Sequence, residues 1–267
     1  MKDLHARYGT YALVTGASSG IGAEFAAQLA VAGFDLVLVA RRKDRLSALA
    51  ERLRVEHGTT SEIIELDLGS PGAVGELTRR TRDLDIGLVV AAAGVLTAGR
   101  FLDNSTAAET ALIELNLVAP VELAHAYGHR FTARGRGALI LVASIIGFAP
   151  APYLANYAAA KSYIANFGQA LHYELRHTGV DVLTLAPGPT RTEGVENAEG
   201  IDFAKLPLPM APADAVVRKA LRALGRKPLI IPGRMNKISD FMGKYLTPRR
   251  VQTAMFGRLL ARATTDH

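Results

Sequence analysis

The chain of 267 residues contains no cysteine, which removes disulfides, thiolate nucleophiles and cysteine-ligated metals from consideration. No stretch has the apolar core of a secretory signal, and no run of about 18 uninterrupted apolar residues offers a membrane span. A cytoplasmic enzyme is therefore expected. A balanced charge is also missing, because the net charge is +6. Its placement is uneven: residues 226–267 hold nine Lys/Arg against Asp240 and Asp266, so the body is close to neutral and only the tail is basic. Because the charge is confined to that one tail, no nucleic-acid partner is expected.

What the chain does have is apolar material, at 49% hydrophobic against 21% charged residues, enough to bury a sheet between two helical layers. Tyr11 to Val14 is a short apolar run that stops at Thr15-Gly16, and helical spacing follows to Gly33. Residues 35–40 are continuously apolar after Asp35, as in a strand covered on both faces. The alternation repeats with helices at 43–57, 71–82, 106–133 and 153–177 and strands at 62–66, 86–92, 138–144 and 180–186. The pattern predicts an α/β fold, a doubly wound parallel Rossmann-type sheet in three αβα layers. Residues 1–232 form its domain and 229–231 a last short strand. The rhythm breaks at 193–210, rich in Gly and Pro, which reads as a lid or substrate loop. Residues 233–267 read as a basic helical extension packed on this domain or on a neighbouring subunit.

Gly16, Ser18, Ser19, Gly20, Ile21 and Gly22 follow the first strand and open a helix. Glycines let a backbone approach a pyrophosphate, and a helix N-terminus offers unpaired N–H groups. An ordinary glycine-rich turn is the alternative. After the second strand, where an acid would accept from an unphosphorylated ribose, stand Arg41 and Arg42. A guanidinium grips a 2′-phosphate bidentately, which favours NADP(H) unless the pair is only a solvated helix entry.

Tyr157 and Lys161 lie four apart on one helix face. A cation about 4 Å from a phenolate is worth roughly 4 kcal/mol at an effective dielectric near 20, enough to bring the tyrosine within reach of neutral-pH proton transfer. Ser144 lies at the carboxyl end of the preceding strand, where an open parallel sheet binds ligands, and its hydroxyl can stabilise a carbonyl oxygen. By itself a serine there is usually a turn former.

Thr15 to Gly22, Asp67-Leu68, Asn116, Ser144, Tyr157 with Lys161, and the run Pro187 to Thr192 together resemble the short-chain dehydrogenase/reductase family over roughly residues 8–232. The resemblance implies that Tyr157 donates the proton in reduction, Ser144 orients the carbonyl, and Lys161 binds the nicotinamide ribose and lowers the tyrosine pKa. It further implies that Asn116 holds a relay water, that Asp67 and Leu68 meet the adenine, and that Ala93, Gly94, Pro187, Gly188, Thr190 and Thr192 line the cofactor path. Where the family carries Asn-Asn-Ala-Gly, this chain has Ala91-Ala92-Ala93-Gly94, which removes two amides that brace the sheet.

Several weaker signals complete the reading. His125 and His129 lack a third ligand, and His172 and His177 are spaced less favourably still, so no metal is expected. Ile145, Ile146, Phe148, Pro152 and Leu154, with Val195, Phe203, Leu206 and Leu208, suggest an apolar carbonyl or alcohol substrate, or else plain packing. In the tail, Val251, Met255, Leu259 and Leu260 among Arg249, Arg250, Arg258 and Arg262 form a basic amphipathic pattern. A helix covering the protein or a neighbouring subunit is favoured for it over peripheral membrane contact. The family resemblance suggests a homodimer or homotetramer. The alternative function is a catalytically weak dinucleotide sensor or scaffold of the same fold, acting through the basic tail.

Overall fold

The structure is a computed structural model that describes residues 4–196, 198–206 and 209–264, without the side chains of Arg234, Ser239, Asp240, Phe241 and Lys244. Leu208 of the apolar set and Asp266 of the tail lie outside the described residues. Helix α1 (Leu4–Tyr8) leads into β1 (Tyr11–Thr15), α2 (Gly20–Val31), β2 (Asp35–Ala40), α3 (Lys43–His57), β3 (Ser61–Glu65), α4 (Ala73–Arg80) and β4 (Ile86–Ala91). Then come α5 (Thr106–Ile113), a π turn (Glu114–Val118), α6 (Ala119–Arg134), β5 (Gly137–Val142), a 3-10 turn (Ile145–Phe148), α7 (Ala155–Leu175) and β6 (Val180–Leu185). The chain closes with β7 (Thr190–Arg191), α8 (Glu193–Glu196), a 3-10 turn (Phe203–Lys205), β8 (Ala211–Pro212), α9 (Ala213–Ala223), β9 (Leu229–Ile230), α10 (Arg234–Leu246) and α11 (Arg249–Ala261).

The seven-stranded sheet runs β3-β2-β1-β4-β5-β6-β9 with every pairing parallel. Parallel strands require crossovers, and helices on both faces explain the near-continuous burial of β1, β2, β4 and β5. Leu36, Leu38, Val14 and Val90 pack with Phe25, Leu29 and α9 on one side, while Val37, Val39, Val89 and Leu141 pack with Leu123, Tyr127 and Ile164 on the other. The strand order reverses between β1 and β4, which opens a crevice at their carboxyl ends.

One expectation needs revision, and two gain detail. The helix expected at 106–133 is interrupted: residues 114–118 widen into a π turn, a device frequent at functional sites because it re-aims a side chain within a helix. That turn contains Asn116. The stretch 193–210 is partly ordered by α8, a 3-10 turn and the β7·β8 pair. The tail stripe is divided, since Leu260 is buried and Leu259 packs beside it, whereas Val251 and Met255 face outward. Ile201 pairs with Thr264, and Asp202 N–H donates to the Ala263 carbonyl at 2.8 Å, so the end of α11 is fastened to the 193–210 segment. Among the described residues no helix is long and apolar enough to cross a membrane.

Candidate active site

Two of the glycines after β1 adopt left-handed backbone, Gly16 at φ 66° and Gly20 at φ 57°. A Cβ on Gly16 would meet the Ala93 backbone at 2.9 Å, so the turn after β1 and the loop after β4 touch where the strand order reverses. Gly22 lies against the Gly16 carbonyl, with no room for a methyl group. Gly22→Ala is therefore expected to destabilise the protein by about 2–3 kcal/mol. The corresponding fall in Tm is roughly 5–10 °C, readable by calorimetry, and an unchanged Tm would contradict this packing. Ser19 occupies the N-cap of α2 without a side-chain cap bond, so the first-turn N–H groups face the crevice without a capping acceptor from that side chain.

The two arginines part company. Arg42 turns back over the glycine turn, donating to Ser18 Oγ at 3.0 and 3.2 Å and to Ser19 Oγ at 2.9 Å. Its remaining terminal nitrogen meets Glu193 at 3.1 Å, and Arg45 pairs with the same carboxylate. Arg41 instead lies 3.9 Å from Asp67 and is largely exposed. Leu68 beside it is buried. Arg45 and Glu193 escaped the sequence reading because an ion pair spanning 148 residues leaves no local pattern.

With alanines at 91 and 92, the loop after β4 is held by other side chains. Thr15 Oγ1, buried at the end of β1, accepts from Ala92 N–H at 3.0 Å and Ala93 N–H at 3.1 Å and donates to the Val90 carbonyl. Asn116 continues the bracing, accepting from Val95 N–H and donating to the Val95 carbonyl, both at 2.8 Å. Its amide is thus committed to the loop carrying Gly94, and a Cβ on Gly94 would sit 3.0 Å from Asn116 Oδ1 and 3.6 Å from Lys161 Nζ. Below this loop Glu109 is buried, taking hydrogen bonds from Asn104 and from Asn156, the residue before Tyr157.

Ser144 combines the two roles weighed for it. As N-cap of the 3-10 turn it accepts from Ile146 N–H at 3.4 Å and donates to the Pro187 carbonyl at 3.5 Å, and it lies close enough to the Tyr157 hydroxyl to favour its ionised form. The turn is pressed onto α7 at Gly147, where a Cβ would come within 2.6 Å of Ser162 N. That close fit sets the serine beside the tyrosine. Lys161 is buried, donates to the Val142 carbonyl at 3.0 Å, and holds Nζ 5.7 Å from the centre of the Tyr157 ring.

The expected acidification of the phenol by lysine is not what this geometry gives. Burial pushes Tyr157 up to about 12, with Ser144 pulling it partly back, and burial brings Lys161 down to about 8. The reason is that the ammonium faces the ring and a carbonyl, while both polar groups have lost water.

Past the carboxyl end of β6, Thr190 Oγ1 donates to the Gly188 carbonyl at 2.9 Å. Thr192 lies against Gly20, so the segment after β7 crosses the glycine turn. Asn236 of α10 fills the space where a Gly188 side chain would stand, a contact that the sequence pattern did not reveal. The apolar set is also redrawn. Ile145 and Phe148 pack into the sheet core, whereas Ile146, Leu154, Phe203 and Leu206 join Leu96, Tyr153, Phe256 and Leu259 in a separate cluster. His125 and His129 approach to 3.3 Å, and among the described residues no group of three or more metal-ligating side chains forms.

Comparison with known proteins places this geometry in context. The model of the short chain dehydrogenase family matches residues 10–200. A 7beta-hydroxysteroid dehydrogenase of Collinsella aerofaciens is 31% identical over 240 residues, covering 89% of this chain and 91% of that one. A solved 7beta-hydroxysteroid dehydrogenase structure superposes with a TM-score of 0.88 at 28% identity, covering 96% of this chain and 100% of the other. A short-chain dehydrogenase from Sphingobium yanoikuyae in complex with NADPH gives 0.79 at 37% identity, over 88% and 93%. With a parallel sheet, a glycine turn at its switch point and family similarity along most of its length, the chain belongs to the short-chain dehydrogenase family and is an oxidoreductase.

Proposed function

We propose that this enzyme reduces bulky, largely apolar ketones with NADPH, using Tyr157 as the proton donor. The observation that carries the reading is the meeting of Ser144, Tyr157 and Lys161 at the carboxyl end of β5, beside an apolar cluster built from Ile146, Leu154, Phe203, Phe256 and Leu259. Relatives named for steroid substrates and a neighbour bound to NADPH support the substrate class and the cofactor.

The residues present fit a phosphorylated dinucleotide. Gly16, Gly20 and Gly22 leave room for a pyrophosphate at the N-terminus of α2, with Ser18, Ser19 and Ile21 in the same turn. Arg42 brings guanidinium donors to that turn for a 2′-phosphate, and Arg41 stands at its rim with Asp67 and Leu68 near the adenine end. Ala93, Gly94, Pro187, Gly188, Thr190 and Thr192 line the way to the reacting centre. When bound, the nicotinamide supplies the hydride.

The protein's part is proton and charge management. Ser144 Oγ and the Tyr157 hydroxyl converge on the place of a carbonyl oxygen, and their two O–H groups stabilise the negative charge that develops there. A phenol near 12 keeps its proton at neutral pH, as the donor in reduction must, while burial makes that proton harder to give up than a free phenol's. Lys161 supplies a cation for the ribose hydroxyls and for the phenolate that Tyr157 becomes when its proton passes to the substrate oxygen, while Asn116 anchors the loop beside it.

A panel of ketones, from acetone to a 7-oxosteroid, with NADPH and NADH tests this reading. NADPH oxidation with the bulky ketones and little with acetone is expected. Arg42→Gln should weaken NADPH by roughly tenfold to a hundredfold, the worth of hydrogen bonds to a charged group, and leave NADH nearly unchanged. Binding of either dinucleotide without turnover on any ketone would favour the scaffold alternative. We also propose a homodimer or homotetramer through α5–α6 and α7, whose outward faces leave Ile113 and Tyr163 exposed. A monomeric mass in solution by light scattering would contradict that assembly.

A further inference from the structure

The two guanidiniums at the glycine turn already hold an anion that belongs to the chain itself. Glu193, at the start of α8, places one carboxylate oxygen 3.1 Å from Arg42 Nη1 and the other against Arg45 Nη1. The remaining Arg42 donors run to the Ser18 and Ser19 hydroxyls, so the arginine lies between the glycine turn and the carboxylate. Thr192, next to Glu193, lies on Gly20. The segment after β7 therefore spans the crevice and ends on the residues nearest the proposed 2′-phosphate. Hydrogen bonds from Arg45 and Arg42 hold the Glu193 carboxyl below its usual range, so it stays ionised through neutral pH.

A 2′-phosphate brings nearly two negative charges and needs bidentate donors. Arg42 can offer them only by giving up a partner, and a carboxylate kept in the same seat repels the incoming anion. A dinucleotide without that phosphate leaves the ion pair intact. We propose that Glu193 is a built-in competitor for the cofactor's 2′-phosphate, holding Arg42 and Arg45 until the phosphate displaces it, and so limits how strongly the enzyme prefers NADP(H) over NAD(H). This inference rests on the NADP(H) reading and assigns Glu193 and Arg45 as specificity-determining residues.

The test is calorimetric titration of the full chain with 2′,5′-ADP and with 5′-ADP. The wild type is expected to prefer 2′,5′-ADP. Glu193→Gln and Glu193→Ala should each tighten 2′,5′-ADP by about fivefold and change 5′-ADP by less than about twofold, the scale of a partly exposed ion pair. Glu196→Gln, on the same short helix and exposed, should change neither probe. Weaker 2′,5′-ADP binding in both Glu193 variants would make the residue a clasp that retains the phosphate and would overturn the proposal. So would equal tightening of both probes, or an effect of Glu196→Gln as large as that of Glu193→Gln. A wild-type preference untouched by either Glu193 variant would overturn this inference alone, and no preference in any of the proteins would remove the NADP(H) reading and this inference together.

Discussion

Tyr157→Phe is expected to lower kcat for ketone reduction by about 10²- to 10⁴-fold, the usual worth of a positioned general acid. The dinucleotide Kd should stay within about twofold. The ring keeps its place on α7 under Lys161 Nζ, and only the hydroxyl beside Ser144 is removed. Ser144 retains the Pro187 carbonyl as acceptor, so the 3-10 turn has a reason to stay where it is. A loss confined to kcat and kcat/KM, with cofactor affinity preserved, marks an interaction used in the transition state. Steady-state kinetics with calorimetric titration of NADPH check both halves. A variant within tenfold of wild-type turnover would mean that another group delivers the proton.

Lys161→Met is expected to abolish most turnover while leaving the fold as stable as before, or more so, at pH 7. Lys161 is buried with the Val142 carbonyl as its protein acceptor. Its pKa falls from the ordinary lysine value of about 10.5 to about 8 because the charged form has lost water. A base whose folded pKa lies below its unfolded one destabilises the fold while protonated. That penalty is complete below pH 8 and vanishes above about 10.5, and at about 1.4 kcal/mol per pKa unit it amounts to roughly 3 kcal/mol. Methionine fills a similar volume without the charge. In the proposed mechanism the same lysine acts in its charged form, so wild-type kcat/KM for reduction should decline as pH rises through about 8. The residual activity of the variant should show no such decline. A Tm at pH 7 that drops by more than about 10 °C would instead assign the lysine a structural role.

Much of this architecture was legible in the sequence because sheet, helices and glycine turn are local patterns. The continuous apolar run of residues 35–40 and the glycines between β1 and α2 correspond to observed elements at the expected places. Ser144, Tyr157 and Lys161 were found by spacing, and the fold brings them together because Gly147 packs on α7. What stayed hidden depends on tertiary neighbours. No periodicity marks a π turn at 114–118, and nothing near residue 15 announces that Thr15 braces a loop 77 residues away. The direction of the Tyr157 shift was misread for a related reason: spacing put a cation one helical turn away, but burial and the aim of the ammonium decide its effect. Likewise, Ile145 and Phe148 have the hydropathy of a substrate wall yet point into the sheet core, while Phe256 and Leu259 come to the apolar cluster from the far end of the chain.

The central claim is transfer of hydride to a ketone carbon at the site of Tyr157, and isotope transfer tests it most directly. With NADPH doubly deuterated at the nicotinamide C4 and a bulky ketone in ordinary water, mass spectrometry of the alcohol should find one deuterium, bound to the carbinol carbon. An alcohol free of deuterium, or no alcohol at all from any bulky ketone under conditions where NADPH is bound, would contradict the account.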